Sequence, residues 1–385
     1  MNPKKIKIIL FFLLTCTLIF FFHRGIFPGF VFKNNKSSDF NLFQTTIQLI
    51  QKDYVDEPDP QKAMEGAYQG LVDSLDVLSS YLSQASLQRL SLLKSDPIFD
   101  SGLIVYKRYG SFPLVIGIKD DSPAMEAGLK TGDLLTSING QPTVRWSMTE
   151  TNLALKDKKP QSIELDVLRQ NTKLKFNLTL KRRENPPLKL SPLNKKTNNL
   201  QIRHFYSPVS QIFEQEILPG LSHSTKPLVI DLRNCSEGEN SEAIKILDNF
   251  IQVNQVGFFQ KKNQPFQYVS CPSPVKIPDI PLIIWTNQAT IGPAELLAAS
   301  LQKFRNALVV GTKTPGLVGQ QRLFPFDDGT ALLLTTAVFQ FSKEEKLWLT
   351  GLHPTIELDP QERTPQDYIQ ATLRLINQNN DNPGP

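Results

Sequence analysis

The stretch Pro281 to Gln321 constrains the fold more than any other part of the chain. It opens with the apolar run Leu282-Ile283-Ile284-Trp285, which has the length of a strand. Thr286 to Ile291 follow, and Gly292-Pro293-Ala294-Glu295 then start a helix predicted to run to about Phe304. Gly at the N-cap, Pro at the first helical position and Glu at the third form a helix-start signal. A second apolar strand, Ala307 to Val310, leads into a loop punctuated by Gly311, Gly316 and Gly319. Strand, helix, strand in this order is a βαβ unit. The N-terminus of its helix offers a positive dipole end and open N–H groups to an attacking or developing anion.

Two frames inside this unit resemble the C-terminal processing, or tail-specific, serine peptidases. The nucleophile motif of that family reads roughly N-x-G-S-A-S-A-x-E, with the second Ser attacking, and the same frame here reads NQATIGPAE. Asn287 and Glu295 keep its ends, while the nucleophile position holds Gly292. The family's base lies in G-x-K-T-x-G-K-G-x-x-Q, and the frame here reads GTKTPGLVGQQ. Gly311, Lys313, Thr314, Gly316 and Gln321 match, while the base position holds Leu317. Neither Gly nor Leu can attack a carbonyl or accept a proton. Gln321, whose counterpart helps to orient the base in active members, keeps its type.

The resemblance extends along the chain. The strand Pro227 to Arg233 should continue, in the family, as D-L-R-x-N-P-G-G, with the paired glycines helping to form an oxyanion hole. Here it continues Asn234-Cys235-Ser236-Glu237-Gly238, with a helix predicted over Ser241–Phe250. Only Gly238 remains, and the Glu237 carboxylate would oppose developing negative charge. Near the N-terminus, YVDEP, GAYQGLVDSLD and SSYL resemble the family's YVDEP, GAI-x-GM and LDPHSSYL, with Val77-Leu78 replacing Pro-His. Asp328 to Ala337 and Gly351 to Ile356 resemble two further motifs of the peptidase core.

Residues 100–182 resemble a PDZ domain. Ser122-Pro123-Ala124 through Gly132-Asp133-Leu134-Leu135 follow the family's S-P-A-x-x-A-G-L-x-x-G-D-x-I. Gly102, Leu103 and Ile104 are the N–H donors expected to receive a peptide's terminal carboxylate, with the groove helix around Ser147 to Leu155. Such a groove binds by strand addition.

The expected architecture is multidomain α/β: an N-terminal helical region over 40–95, a mixed β and helical PDZ domain over 100–182, and a linker over 183–199. A βαβ-built, crotonase/ClpP-like core follows over 200–377, then a disordered tail over 378–385. The 40% hydrophobic and 21% charged fractions suit globular domains, and a net charge of +5 is too mild to argue for nucleic acid. Three cysteines fit no disulfide framework or zinc spacing, and no metal, nucleotide or flavin motif is present, so no cofactor is expected.

Residues 1–24 read as a targeting segment: Lys4, Lys5 and Lys7 precede a run from Ile8 to Phe22. The run is short against the ~20 residues that span a bilayer, so a cleaved signal peptide is an alternative. No small-x-small cleavage site follows, which favours an uncleaved anchor through residues 6–22. The expectation is a single-pass inner-membrane protein with its globular part in the periplasm or otherwise outside the cytoplasm.

Other residues could replace the missing pair. Cys235 with His204, His223 or His353 would make a thiolate nucleophile, although no His occupies a motif position. Thr290 and Lys313 are a second pair, but Thr290 precedes the helix cap by two residues and should point elsewhere. The sequence therefore reads as a non-catalytic homologue whose PDZ module binds peptide or protein C-termini, with a homo-oligomer or pairing with an active paralogue left open. The alternative is an active serine-type endopeptidase with displaced residues.

Overall fold

The computed structural model describes residues 36–381 apart from 95–96, 109, 183 and 359–363. The chain divides into two units, residues 1–64 and 65–385. In the first, α1 (Lys36–Asp53) precedes the opening turns of α2 (Pro60–Asp73), where the Asp59 carboxylate accepts the Lys62 N–H.

The second unit leaves α2 through a turn made by Asp76. Its Oδ1 accepts the N–H groups of Leu78 and Ser79, both at 2.8 Å, an arrangement that favours a turn over continued helix. The turn delivers β1 (Ser80–Leu82), and Ser83 then caps α3 (Gln84–Leu92). Residues 80–82 are thus a strand inside a region expected to be helical. Three residues are too few to show a period of two.

The PDZ module contains β2 (Phe99–Asp100), β3 (Leu103–Tyr106), β4 (Leu114–Ile118), β5 (Leu134–Ile138), β6 (Gln141–Pro142), α4 (Met148–Ala154), β7 (Lys156–Asp157), β8 (Ser162–Arg169), β9 (Thr172–Thr179) and β10 (Lys181–Arg182). Its main sheet runs β3-β4-β5-β8-β9, with β3 at the edge. Asn139 and Gly140, at φ +51° and +73°, make the tight turn that pairs β5 with β6. In β8 alternate residues, Ile163, Leu165 and Val167, are buried in the module's core, the period expected of a sheet with one covered face.

The core follows as β11 (Leu188–Asn194), β12 (Thr197–Ile202), β13 (Leu228–Asp231), α5 (Asn240–Leu247), β14 (Val253–Lys261), β15 (Gln267–Cys271), β16 (Leu282–Thr286), α6 (Pro293–Arg305), β17 (Leu308–Gly311), β18 (Gly319–Pro325), β19 (Ala331–Gln340), β20 (Ile356–Glu357) and α7 (Pro365–Asp381). The order β11-β12-β13-β16-β17-β20 is parallel from β12 onward, with β11 antiparallel at one edge. Every residue of β16 is buried, as a parallel strand covered on both faces requires. Ile230 and Ile284 face the α5 and α6 side, whereas Val229, Ile283 and Trp285 meet Tyr368 and Ala371 of α7. A second, antiparallel sheet runs β1-β19-β14-β15, with β18 on β19.

Three expectations change here. The stretch read as a linker carries β11, which Pro192 and the lack of alternation concealed. The last helix runs to Asp381, into the segment expected to be disordered. Among the described residues no helix is long and apolar enough to cross a membrane. That overturns the expected single-pass inner-membrane, periplasmic placement; the segment on which it rested, residues 1–24, lies outside the described residues.

Asp73, at the end of α2, lies in the fields of Glu150 and Lys107. Burial pushes its carboxyl up to about 6, the Glu150 carboxylate adds to the rise, and Lys107 opposes it. An acid raised in the folded state binds more protons there than in the unfolded chain. Its stabilising contribution is therefore lost as pH rises from about 4 through about 6. Asp73→Asn should be more stable than the native chain at pH 7 by about 1 kcal/mol, the shift being discounted for a half-exposed group. The advantage should vanish near pH 4, which urea unfolding at both pH values would show.

Candidate functional site

Three loops leave the C-terminal ends of β13, β16 and β17, where ligands of parallel sheets commonly sit. The loop after β16 ends at Gly292, with φ +62° and ψ −115°, a conformation costly to any residue but glycine. An ideal Cβ there would find its nearest neighbour, the Leu317 carbonyl oxygen, at 3.8 Å. Backbone conformation, not lack of space, is what suits glycine to this turn. The loop is pinned from beneath. The Asn287 side chain accepts the Asn234 N–H at 3.1 Å and donates to Asn234 Oδ1 at 2.9 Å. The Thr290 hydroxyl donates to the Leu232 carbonyl at 2.9 Å.

Glu295 joins this turn to the loop after β17. Its fully buried carboxylate accepts N–H groups from Gly292 at 3.0 Å, Gly316 at 2.5 Å and Leu317 at 2.7 Å. Burial pushes its pKa up, while hydrogen bonds from Thr314 and those three amides pull it back. Leu317 is itself buried. Gln321 donates to the Leu78 carbonyl at 2.6 Å, tying β18 to the turn before β1.

The loop after β13 carries Glu237 and Gly238. Gly238, at φ +119°, lies so close to the Phe205 backbone that a Cβ would fall 2.2 Å from its carbonyl carbon, so its glycine is structural. Glu237 pairs with two lysines of the PDZ module, Lys156 at 2.5 Å and Lys119 at 3.2 Å. Lys119 also binds Asp100 at 2.8 Å. Burial alone would depress the Lys156 ammonium, but the Glu237 and Asp100 carboxylates outweigh it and hold its pKa above the ordinary value. An apolar contact runs beside this network: Ile104 and Ile116 of the PDZ sheet pack on Ala289, with Ile291 at its margin. The PDZ sheet therefore roofs the turn that ends at Gly292.

The PDZ groove lies between the open edge of β3 and α4. It forms part of a cavity of about 860 Å³ that also reaches Ile291, Glu237, Gln321 and Leu78. The groove is continuous with the space beside Ile291, Glu237 and Gln321. The expected carboxylate-binding donors are engaged within the module: Gly102 N–H on Asp100 Oδ1 at 2.7 Å, and Leu103 N–H on Ser101 Oγ at 3.2 Å. Ile104 pairs with Gly117 in the β3–β4 ladder.

The structure thus brings Gly292, Leu317 and Gly238 to neighbouring loops, with Gln321 on β18, and sets Leu103 and Ile104 along the groove with Gly102 just before them. Cys235 is fully buried within the apolar core and makes no disulfide with Cys271. Two of its three suggested partners are occupied locally, since His204 Nδ1 accepts the Tyr206 N–H and His223 Nδ1 meets the Ser222 hydroxyl, while His353 is exposed. Lys313 is exposed. Among the described residues no group of three or more His, Cys, Asp or Glu could hold a metal ion. Sequence reasoning passed over Asp100, Lys119 and Lys156, because a lone lysine or aspartate at a PDZ strand end carries no sign of its partner, which for Lys156 lies 81 residues away.

Residues 197–358 match peptidase family S41, and residues 114–169 match the PDZ domain. The chain is homologous to the carboxy-terminal processing protease CtpA of Bacillus subtilis, at 25% identity over 87% of this chain and 72% of that protein. CtpB of the same organism is also 25% identical, over 86% and 69%. Among solved structures, the photosystem II D1 C-terminal processing protease superposes with a TM-score of 0.66 at 18% identity, covering 86% of this chain and 90% of that one. Mature CPAF superposes at 0.52 and 14% identity, over 88% and 92%. At these identities the two structures speak for the fold.

The Glu295 geometry gives a direct test. Glu295→Ala leaves three buried N–H groups unpaired and should destabilise the chain by about 3–5 kcal/mol. Glu295→Gln, which keeps shape and one acceptor oxygen, should cost less, and denaturant unfolding of both variants would rank them.

Proposed function

We propose that this chain, a PDZ-bearing homologue of the C-terminal processing peptidases with a family S41 domain, binds polypeptide without cleaving it. The observation that carries this reading is the pairing of Gly292 at the cleft's turn with buried Leu317 on the facing loop. Gly292 offers no nucleophilic side chain, and Leu317 offers no amine or imidazole to take a proton. Two replacements considered from the sequence lack support. Cys235 lies inside the core, and the Thr290 hydroxyl is spent on the Leu232 carbonyl. Glu237 adds a carboxylate near the place where negative charge would build up, and its lysine partners fix it there.

The binding half of the reading rests on the groove. β3 has an unpaired edge, apolar residues line the space between it and α4, and the space continues to Ile291 and Gln321. An extended segment could add to that edge through backbone hydrogen bonds, with side chains entering the groove.

The purified protein should therefore bind unfolded polypeptide and release it intact over hours of incubation. Labelling of a single residue by a serine-directed probe, with product formation, would overturn the reading. Restoring the expected pair by Gly292→Ser with Leu317→Lys should leave the protein nearly inert. The added lysine needs its pKa of ~10.4 lowered before it can act as a base, and Glu237 would still oppose the oxyanion. Adding Glu237→Gly should raise hydrolysis by about 100-fold over the double variant, measured on a quenched fluorogenic peptide.

A further inference from the structure

The PDZ groove carries its own carboxylate at the seat where a ligand's terminal carboxylate would bind. Asp100 lies two residues before the expected binding loop, and its Oδ1 takes the Gly102 N–H at 2.7 Å. Its Oδ2 holds Lys119 at 2.8 Å, and the side chain is only 7% exposed. Ser101 Oγ takes the neighbouring Leu103 N–H. Asp100 is held from a second side, because Lys119 also pairs with Glu237 of the core. Swinging it out would leave a backbone N–H unpaired and take one of two carboxylates from a mostly buried ammonium. A second carboxylate placed beside it would meet like charge at close range.

The space around the groove agrees with this. A terminal-carboxylate site is a closed end, whereas here a second cavity adjoins the groove's cavity. Arg182, Asn185 and His204 line both the large cavity holding Leu103 and Ile104 and a second cavity of about 90 Å³ that contains Gly102 and Asp100.

We infer that the groove takes an internal stretch of an extended polypeptide, not a free C-terminus. This rests on the reading of the groove as a polypeptide site and narrows its ligand. The occupant adds as a strand to the open edge of β3, sets apolar side chains against Leu103, Val105 and Leu153, and passes Asp100 with no carboxylate of its own.

The test uses the native chain and random peptides displayed in two formats, with the random segment internal or at a free C-terminus. Binders are kept when Asn152→Trp, which fills the groove, abolishes their binding. The expected result is groove-dependent binders in the internal format. Any binder from the C-terminal format should bind equally well, within about twofold, after amidation of its carboxylate. Loss of about tenfold or more on amidation, or groove-dependent binders from the C-terminal format alone, would overturn the inference while leaving polypeptide binding in place. Absence of groove-dependent binders in both formats would overturn the inference and the underlying reading together. Asp100→Asn, checked by melting for retention of fold, should create a free-acid preference of about tenfold by removing the like charge that a terminal carboxylate would meet. Should that variant not fold, the amidation comparison on the native chain still decides.

Discussion

The cleft's shape depends on one buried carboxylate. Glu295 sits in the first turn of α6 and gathers the N–H groups of Gly292, Gly316 and Leu317. In an interior of low dielectric such bonds are strong, and they are costly to leave unmade. They are directed at backbone, so they fix the turn and the facing loop whatever side chains stand at positions 292 and 317. That is how a scaffold of this kind keeps its geometry with a glycine and a leucine where its homologous family is expected to have a serine and a lysine. The same logic covers Asn287 and Thr290, whose side chains bind the loop after β13 and touch nothing in the cleft.

The parts of this fold that were legible in the sequence are those whose residue types state their own geometry. Gly292, Pro293 and Glu295 announce a helix start, and the structure has one at Pro293. Asn139-Gly140 announces a tight turn between paired strands, and the chain makes it. The βαβ unit follows from runs of four or five apolar residues flanking a helical pattern. What was illegible is pairing across long sequence distance. β11 looks like a linker because it is an edge strand with Pro192 and half-exposed residues, and only its partner β12 makes it a strand. Glu237 reads from the sequence as an intruder in an oxyanion site. Its two lysines come from strand ends of a different domain, so nothing local names them.

These pairings change what the substitution at position 237 does physically. A glycine there would leave the Lys156 ammonium, four-fifths buried, to find another partner for its charge. With glutamate, the network Asp100–Lys119–Glu237–Lys156 closes with alternating sign across the junction between PDZ module and core. Buried ion pairs repay their desolvation only when geometry is good and the remaining donors are met. The apolar contact of Ile104 and Ile116 with Ala289 supplies dry surroundings beside it. Charge network and apolar contact together hold the PDZ sheet over the turn at Gly292. A group that opposes an oxyanion is thereby also one that fixes the domain above it.

A groove that binds by strand addition gains affinity when its width is set before the ligand arrives, because less order is lost on binding. Here the width is set from outside the PDZ module. The groove helix α4 is held near its start by Gln69, which donates to Glu150 at 2.8 Å, and by Ser80, which donates to Thr149 at 2.8 Å. At its end Arg89 donates to the Leu153 carbonyl at 2.9 Å and continues to Lys156 and Asp157. On the other wall, β3 is backed by β4 and by the contact with Ala289. Both walls are therefore fastened to parts of the chain that also shape the cleft. Lys156 completes the circuit: it follows α4 by two residues, its carbonyl receives Arg89, and its ammonium meets Glu237. Groove and cleft thus share their fastenings, and β3 offers an open edge beside the groove, with Asp100 just before it.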